Sequence, residues 1–255
     1  MAFYDLSKTE REQLVAQITE AIRSDFKNKS SLNLEVYFSD EDTYIRKNAY
    51  LAVGKIYNAN LYLQQIILEM LRNLFERENE KIRQTVVNAA GEIGKYYFED
   101  VVWFFDNGLF DEHHCVRNAV IGSVKKMSEK NPKPILNWAK QYLHHDDKEV
   151  RREICHGIEL RGRTHPEDIL PLLKELQNDT TKRVRNTLIH VIGQISYKKN
   201  CLPKVIVHLN SWENKMLVLD ALDEIVDVHS EKRYAKFSAL SQEEVITYID
   251  LNFKK

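Results

Sequence analysis

The chain has 255 residues, 29% of them charged, with a formal net charge of −1 and only 8 glycines and 5 prolines. That length supports one large domain with a continuous core, and the scarcity of helix breakers fits a nearly all-helical protein with short turns. The near-zero balance excludes an overall electrostatic bias, and no stretch approaches the roughly 18 apolar residues that span a bilayer.

The first residues, Met1-Ala2-Phe3-Tyr4-Asp5, contain no basic segment followed by an apolar one, so no secretory signal is visible. Ser7-Lys8-Thr9-Glu10 has capping-box spacing, in which the serine oxygen accepts a free amide and the glutamate reaches back to the cap. It predicts an N-terminal helix over residues 7–26, with Leu14, Ile18 and Ile22 along one face. A polar segment, 27–33, ends it.

Repeats are expected from 34 to 229. Each opens on a polar or acidic turn: Ser39-Asp40-Glu41-Asp42, Glu78-Asn79-Glu80, Asp111-Glu112, Asp146-Asp147 and Asn178-Asp179. A first helix follows, carrying a Val/Ile-Arg pair: Ile45-Arg46, Ile82-Arg83, Val116-Arg117, Val150-Arg151 and Val184-Arg185. The steps between pairs are 37, 34, 34 and 34 residues, and one further step reaches Val218-Leu219, where the arginine is gone. Gly54, Gly91 and Gly193 each fall eight residues after a ladder arginine, where close helix packing favours a missing side chain. Second helices are expected at Asn131-Pro132 and at Thr164-His165-Pro166-Glu167, which has capping-box spacing, and read on through Ile135-Leu136, Ile169-Leu170 and Val205-Ile206. Residues 230–240 are polar and are expected to form a mobile loop. Ser241-Gln242-Glu243-Glu244 is a second capping box, opening a C-terminal helix over 241–253.

A period in this range on helical patterns marks stacked helix pairs and resembles HEAT-like repeats. The expected fold is all-α: a right-handed α-solenoid of about six HEAT-like pairs, a single domain over 1–255 with a flanking helix at each end. The ladder residues Arg46, Arg83, Arg117, Arg151 and Arg185 are read as structural, their guanidinium groups bonding turn carbonyls or acidic side chains between repeats. Leu219 fits a terminal cap with no further repeat to tie down.

Motifs that carry chemistry are absent: no phosphate loop, dinucleotide fingerprint or nucleophile elbow occurs. His144-His145-Asp146-Asp147 and His113-His114 are read as turns, and His156 and His190 as repeat-equivalent surface positions. Cys115, Cys155 and Cys201 lack metal-ligand spacing and are read as small buried thiols. Neither a metal nor a cofactor is expected. Stepping by the repeat makes Trp138 a core residue, places Trp103 similarly, and leaves Trp212, at the end of a second helix, the leading candidate of the three for an exposed ring, though none is firmly assigned one.

The run Val150-Arg151-Arg152-Glu153, Gly157, His165-Pro166 and Leu170-Pro171-Leu172-Leu173, followed by Asp179, Val184-Arg185-Asn186 and Trp212, resembles the alkylpurine DNA glycosylase superfamily of HEAT-like DNA alkylation repair enzymes. The resemblance covers the central part of the chain. It implies a solenoid that holds duplex DNA in its concave groove, and in the glycosylases a set of tryptophans and a catalytic carboxylate facing the damaged nucleotide. The family's aromatic residues sit in first helices near the ladder, where this chain has Tyr50, Val87, Ile121, Cys155 and Ile189; the ladder position is arginine and never aspartate. A DNA-binding groove is therefore expected without the glycosylase residues.

Between residues 115 and 203 basic residues outnumber acidic ones, leaving the flanks acidic. The candidate phosphate contacts are Lys125, Lys126, Lys133, Lys140, Arg152, Arg161, Arg163, Lys182, Arg183, Lys198, Lys199 and Lys204. The reading at this level is a non-catalytic, cytoplasmic and monomeric binding module for duplex nucleic acid. Two alternatives stand beside it, a protein–protein scaffold and an alkylpurine DNA glycosylase. No membrane partner is expected.

Overall fold

The computed structural model describes residues 2–254. Among them there is no strand, and no helix is long and apolar enough to cross a membrane. The fold is an all-α solenoid of HEAT-like helix pairs. Its packing divides into two compact units, one ending at Lys130 and the other beginning at Asn131.

In the first unit, α1 (Lys8–Asn28) starts as its sequence requires: the Glu10 amide donates to Ser7 Oγ at 3.3 Å, and the Ser7 amide donates to the Glu10 carboxylate at 2.8 Å. A short helix that periodicity did not reveal, α2 (Leu32–Ser39), comes next. Buried Asp25 holds its start, accepting from the Leu34 amide at 2.9 Å and the Asn33 side chain at 2.8 Å. The N-terminal helix is thus the first member of a pair rather than a lone flank. The pairs α3 (Thr43–Ala59) with α4 (Gln64–Phe75) and α5 (Glu80–Gly94) with α6 (Phe98–Gly108) follow, and α7 (His114–Lys130) closes the unit. Asp42 and Asn79 cap α3 and α5, accepting amides at 2.8 and 2.9 Å, which satisfies donors a helix start leaves free.

The helices α1, α3, α5 and α7 pack in succession as one row, with α4 against α6 behind it. Glycine sets the spacing of that row. A Cβ on Gly54 would lie 2.7 Å from Glu92 Cβ, and one on Gly91 would lie 2.6 Å from Ser123 Cβ. Both glycines sit where the eight-residue offset from the ladder placed them.

The second unit begins with α8 (Pro132–Lys140), then α9 (Lys148–Gly157), a one-turn α10 (Glu159–Gly162) and α11 (Pro166–Glu175). It continues through α12 (Lys182–Gln194), α13 (Cys201–Leu209), α14 (Lys215–Ser230) and α15 (Gln242–Asn252). First helices α9, α12 and α14 form one row, and α11, α13 and α15 the other.

Three expectations are corrected here. Thr164 and Glu167 form no capping box: the Thr164 hydroxyl donates to the Arg161 carbonyl at 3.3 Å and Glu167 pairs with Lys204 at 2.8 Å, so Pro166 opens α11 unaided by a side-chain cap. Trp212 is 1% exposed, because its ring closes the end of α13 and its indole N–H donates to His208 Nδ1 at 2.8 Å. Residues 230–240 are held rather than loose. The Ala239 amide donates to the Tyr197 carbonyl at 2.9 Å, and Tyr234 stacks on Tyr197 with centroids 5.3 Å apart while accepting from Gln194 at 2.9 Å.

Candidate nucleic-acid interface

The ladder arginines set the frame on which the first-helix face is displayed. In four of the five, one guanidinium nitrogen donates to the carbonyls six and five residues upstream, in the preceding turn. Arg83 reaches Arg77 and Glu78 at 2.9 and 2.7 Å, Arg117 reaches Asp111 and Glu112 at 2.6 and 2.9 Å, and Arg151 reaches His145 and Asp146 at 2.7 and 2.9 Å. Arg46 makes the same pair of bonds to Asp40 and Glu41. Arg83 and Arg151 also grip an aspartate 28 residues downstream, Asp111 at 2.8 Å and Asp179 at 2.6 Å. Each of these aspartates in turn accepts a backbone amide of the following turn, His113 and Thr181, both at 2.8 Å. One planar cation thereby clamps the turn before it to the turn after it, a fork geometry that lysine cannot reproduce. Arg185 departs from the pattern and pairs with Asp220 at 2.5 Å.

On the other side of each pair, the residue that follows the ladder arginine (Lys47, Gln84, Asn118, Arg152, Asn186) is exposed or half-buried. In the first unit, Lys126 on α7 places its ammonium 5.7 Å from the centre of the Tyr50 ring on α3. Between them lies Glu92 of α5, largely buried and ion-paired with Lys95. The surrounding protein lowers the Lys126 pKa below the usual ammonium value; Glu92 opposes that shift, while Lys95 and then Lys47 reinforce it by repulsion. Half-burial, and secondarily Glu92, pushes the Tyr50 phenol up. The groove beside Tyr50 is polar, edged by Thr43, Lys47, Gln84 and Asn88. The face thus carries one lysine paired with a carboxylate, one lysine against an aromatic ring, and Lys47 at the edge of the groove.

The matching groove in the second unit lies between α9 and α12 and is lined by Arg152, His156, Arg183, Asn186, Thr187 and His190. Its cations are already engaged. Arg152 and Arg183 share Glu149, both at 2.9 Å, and Arg152 also reaches Glu153. His156 faces Glu159 at 3.1 Å and His190 faces Glu224 at 3.1 Å. Arginine and histidine outnumber lysine here, but carboxylates balance them.

The remaining basic candidates are spread over several elements. Arg161 pairs with Asp168 at 2.7 Å, and Arg163 binds Glu159 at 2.8 Å and the Tyr197 hydroxyl at 3.2 Å. Lys140 and Lys204, on the second helices α8 and α13, pair with Glu175 and Glu167. Lys133 is exposed on α8, Lys182 is exposed at the start of α12, and Lys198 and Lys199 lie in the turn before α13. Lys125 is half-buried on α7 beside Lys126. Sequence reasoning missed Lys47, Lys95 and Glu92, since they lie outside the basic middle stretch. The repeat offers one signal, because Lys47 directly follows a ladder arginine as Arg152 does.

Among the tryptophans, Trp138 is buried as expected. Trp103 is half-buried between Phe75 and Phe104, with the Arg72 guanidinium 5.5 Å from its ring. The cysteine expectation holds for Cys155 and Cys201, which are buried, but Cys115 is half-buried at the start of α7. There His113, His114 and Cys115 bring their donor atoms within 4.8 Å of one another. Three consecutive residues supply that set, one short of the four ligands that close a structural zinc site.

No protein-family model matches the chain, and no curated protein matches it. Among solved structures it is similar to AlkD2 from Streptococcus mutans, with a TM-score of 0.54 at 16% identity over 80% of this chain and 97% of that one. It is more distantly similar to an archaeal HEAT-like repeats protein from Thermococcus onnurineus NA1, with a TM-score of 0.39 at 17% identity over 88% and 98% of the two chains. Computationally designed armadillo repeat proteins for modular peptide recognition give a TM-score of 0.34 at 15% identity over 83% and 98%. At these identities the likeness concerns the fold: the chain is a HEAT-like repeat protein whose fold resembles that of AlkD2.

Proposed function

We propose that the protein is a nucleic-acid-binding HEAT-repeat module, and that the first-helix face around Tyr50 and Lys126 takes the phosphate backbone of a duplex. The observation that carries this reading is the Lys126 ammonium beside the Tyr50 ring, on a first-helix face where Lys95 pairs with Glu92 and Lys47 is exposed. That face keeps a local excess of positive charge, whereas the arginines of the second unit are balanced by Glu149, Glu153 and Glu159. Lysine crowding of this kind costs free energy in the isolated protein, and an anion relieves it. The sequence resemblance to the DNA alkylation repair superfamily and the fold likeness to AlkD2 support the same reading. Tyr50 stands at a helix position where that superfamily carries aromatic residues.

The test is fluorescence anisotropy of a labelled DNA duplex across a salt series. Each phosphate contact displaces condensed counterions and contributes a log–log slope of about −0.9. The double variant K47E/K126E is expected to bind at least about ten-fold more weakly and with a shallower slope. The control K133E/K182E, on exposed lysines of the second unit, is expected to stay near the wild type. Absence of binding at low salt ends the nucleic-acid reading and leaves a protein scaffold.

A further inference from the structure

The last helix pair differs from the others in what it leaves open. Within the second unit α12 packs against α14, but the opposite side of α14 meets no further first helix. Instead α14 and α15 form a groove of about 870 Å³ lined by Leu219, Leu222, Val226, Ile246, Ile249 and Phe253. Leu219 stands where five earlier units carry the ladder arginine, and it is 54% exposed. Ile246 across the groove is 43% exposed. An open apolar slot bordered by charged side chains marks a contact surface.

The rim states what the slot accepts. Asp223 and Asp227, four residues apart on α14, edge one side, and Asp250 of α15 edges the other; Lys215 and Lys254 also border the groove. None of the three aspartates has an ion-pair partner among the described residues, in contrast to the paired carboxylates of the earlier repeats. With three carboxylates against two ammonium groups, a second copy seated groove to groove would set one acidic excess against another, and nucleic acid would meet the same repulsion. An amphipathic helix with lysine or arginine beside its apolar stripe answers both features, its stripe filling the groove and its cations meeting the rim.

We propose that the α14–α15 groove docks a basic amphipathic helix from a partner protein. The probe is a fluorescein-labelled model peptide of about 18 residues with leucine at i, i+3, i+4 and i+7 and lysine elsewhere. Two peptides serve as comparisons, one with the lysines replaced by glutamate and one with the same composition scrambled. Anisotropy titrations of the full-length protein are expected to show saturable binding of the lysine peptide, with the glutamate and scrambled peptides at least about ten-fold weaker.

The variant L219K/I246K, at two exposed positions, is expected to keep the helical circular dichroism and to abolish binding. D223N/D227N, which keeps shape and removes charge, is expected to weaken it several-fold. Equal binding of the glutamate peptide, or binding that survives L219K/I246K, overturns the proposal. So does a dimer in sedimentation velocity that L219K/I246K dissociates, since the occupant would then be a second copy. These variants leave Lys47 and Lys126 unchanged, so DNA binding and peptide binding succeed or fail separately.

Discussion

At the scale of single residues, burial decides which of the ladder contacts matter. Arg83 and Asp111 have side chains 9% and 6% exposed, whereas Arg185 and Asp220 are 30% and 51% exposed. Removing one partner of a buried pair strands the other charge, at a cost of about 3 kcal/mol or more, while an exposed pair contributes less than about 1 kcal/mol. Asp111→Ala should therefore lower the urea midpoint far more than Asp220→Ala; equal losses would refute the ladder as the structural tie. Asp179 adds a pH signature. Burial alone would raise its carboxyl, but Arg151 and the Thr181 amide hold it below its ordinary 3.8. A carboxylate depressed in the folded state stabilises fully above pH 3.8, and that contribution is lost as pH falls through the lower, folded value. His208 works at higher pH. Burial, and then Lys174, lowers it below 6.5, so the unfolded chain takes up the proton first and stability declines as pH drops below that value. Protonation also removes the lone pair that accepts from Trp212. Urea unfolding followed by tryptophan fluorescence one unit above and one unit below pH 6.5 should show a lower midpoint at the acid end, and His208→Gln should shrink the difference; an unchanged difference removes His208 as the cause.

At the scale of helices, the distance between neighbours in the row is set by what the glycines omit. Gly91 faces Ser123 so closely that an added Cβ requires α5 and α7 to separate, and overpacking of this kind costs about 1–3 kcal/mol. Gly122 lies one residue away from that serine on α7, yet a Cβ there meets nothing within 4 Å. In a helix interior, replacing such a glycine by alanine gains up to about 1 kcal/mol, partly by reducing the freedom of the unfolded chain. Gly91→Ala and Gly122→Ala should thus shift the thermal midpoint in opposite directions. A stabilising Gly91→Ala would show that the row is not held by close approach. The capping residues act at the same scale, and Ser7, Asp42, Asn79, Asp147 and Ser241 each accept an amide at the start of a helix.

At the scale of the whole chain, the last rung of the ladder, Arg185, is the one that departs from the pattern. Arg185 binds no turn carbonyl among its hydrogen bonds and holds a half-exposed aspartate, and Leu219 holds nothing by charge. A repeat protein loses structure from the units whose neighbour terms are smallest. Amide hydrogen exchange should therefore be faster in α14 and α15 than in α9 and α12. Equal protection throughout would mean that apolar packing alone, without the ladder, sets local stability. A basic helix bound in the terminal groove should raise protection there by mass action.

The sequence by itself determined the helical class, the repeat period, the ladder and the two terminal capping boxes, because each rests on local spacing that a helix converts directly into a shared face or a satisfied end. It also placed Gly54 and Gly91 at close contacts and Trp138 in the core. The tertiary structure decided the rest. Trp212 looked exposed because its position ends a helix, but the fold closes over it. Residues 230–240 looked loose because they are polar, yet Tyr197 and Gln194 hold Tyr234. The basic middle looked available because composition counts charges without their partners, and folding paired Lys140, Arg152, Arg161, Arg163, Arg183 and Lys204 with carboxylates up to 37 residues distant in the chain. Lys126 meets Tyr50 only because α3, α5 and α7 stack side by side, and the apolar groove exists only where α15 packs on α14. Contacts within one helix are written in spacing, whereas contacts between repeats depend on which faces meet.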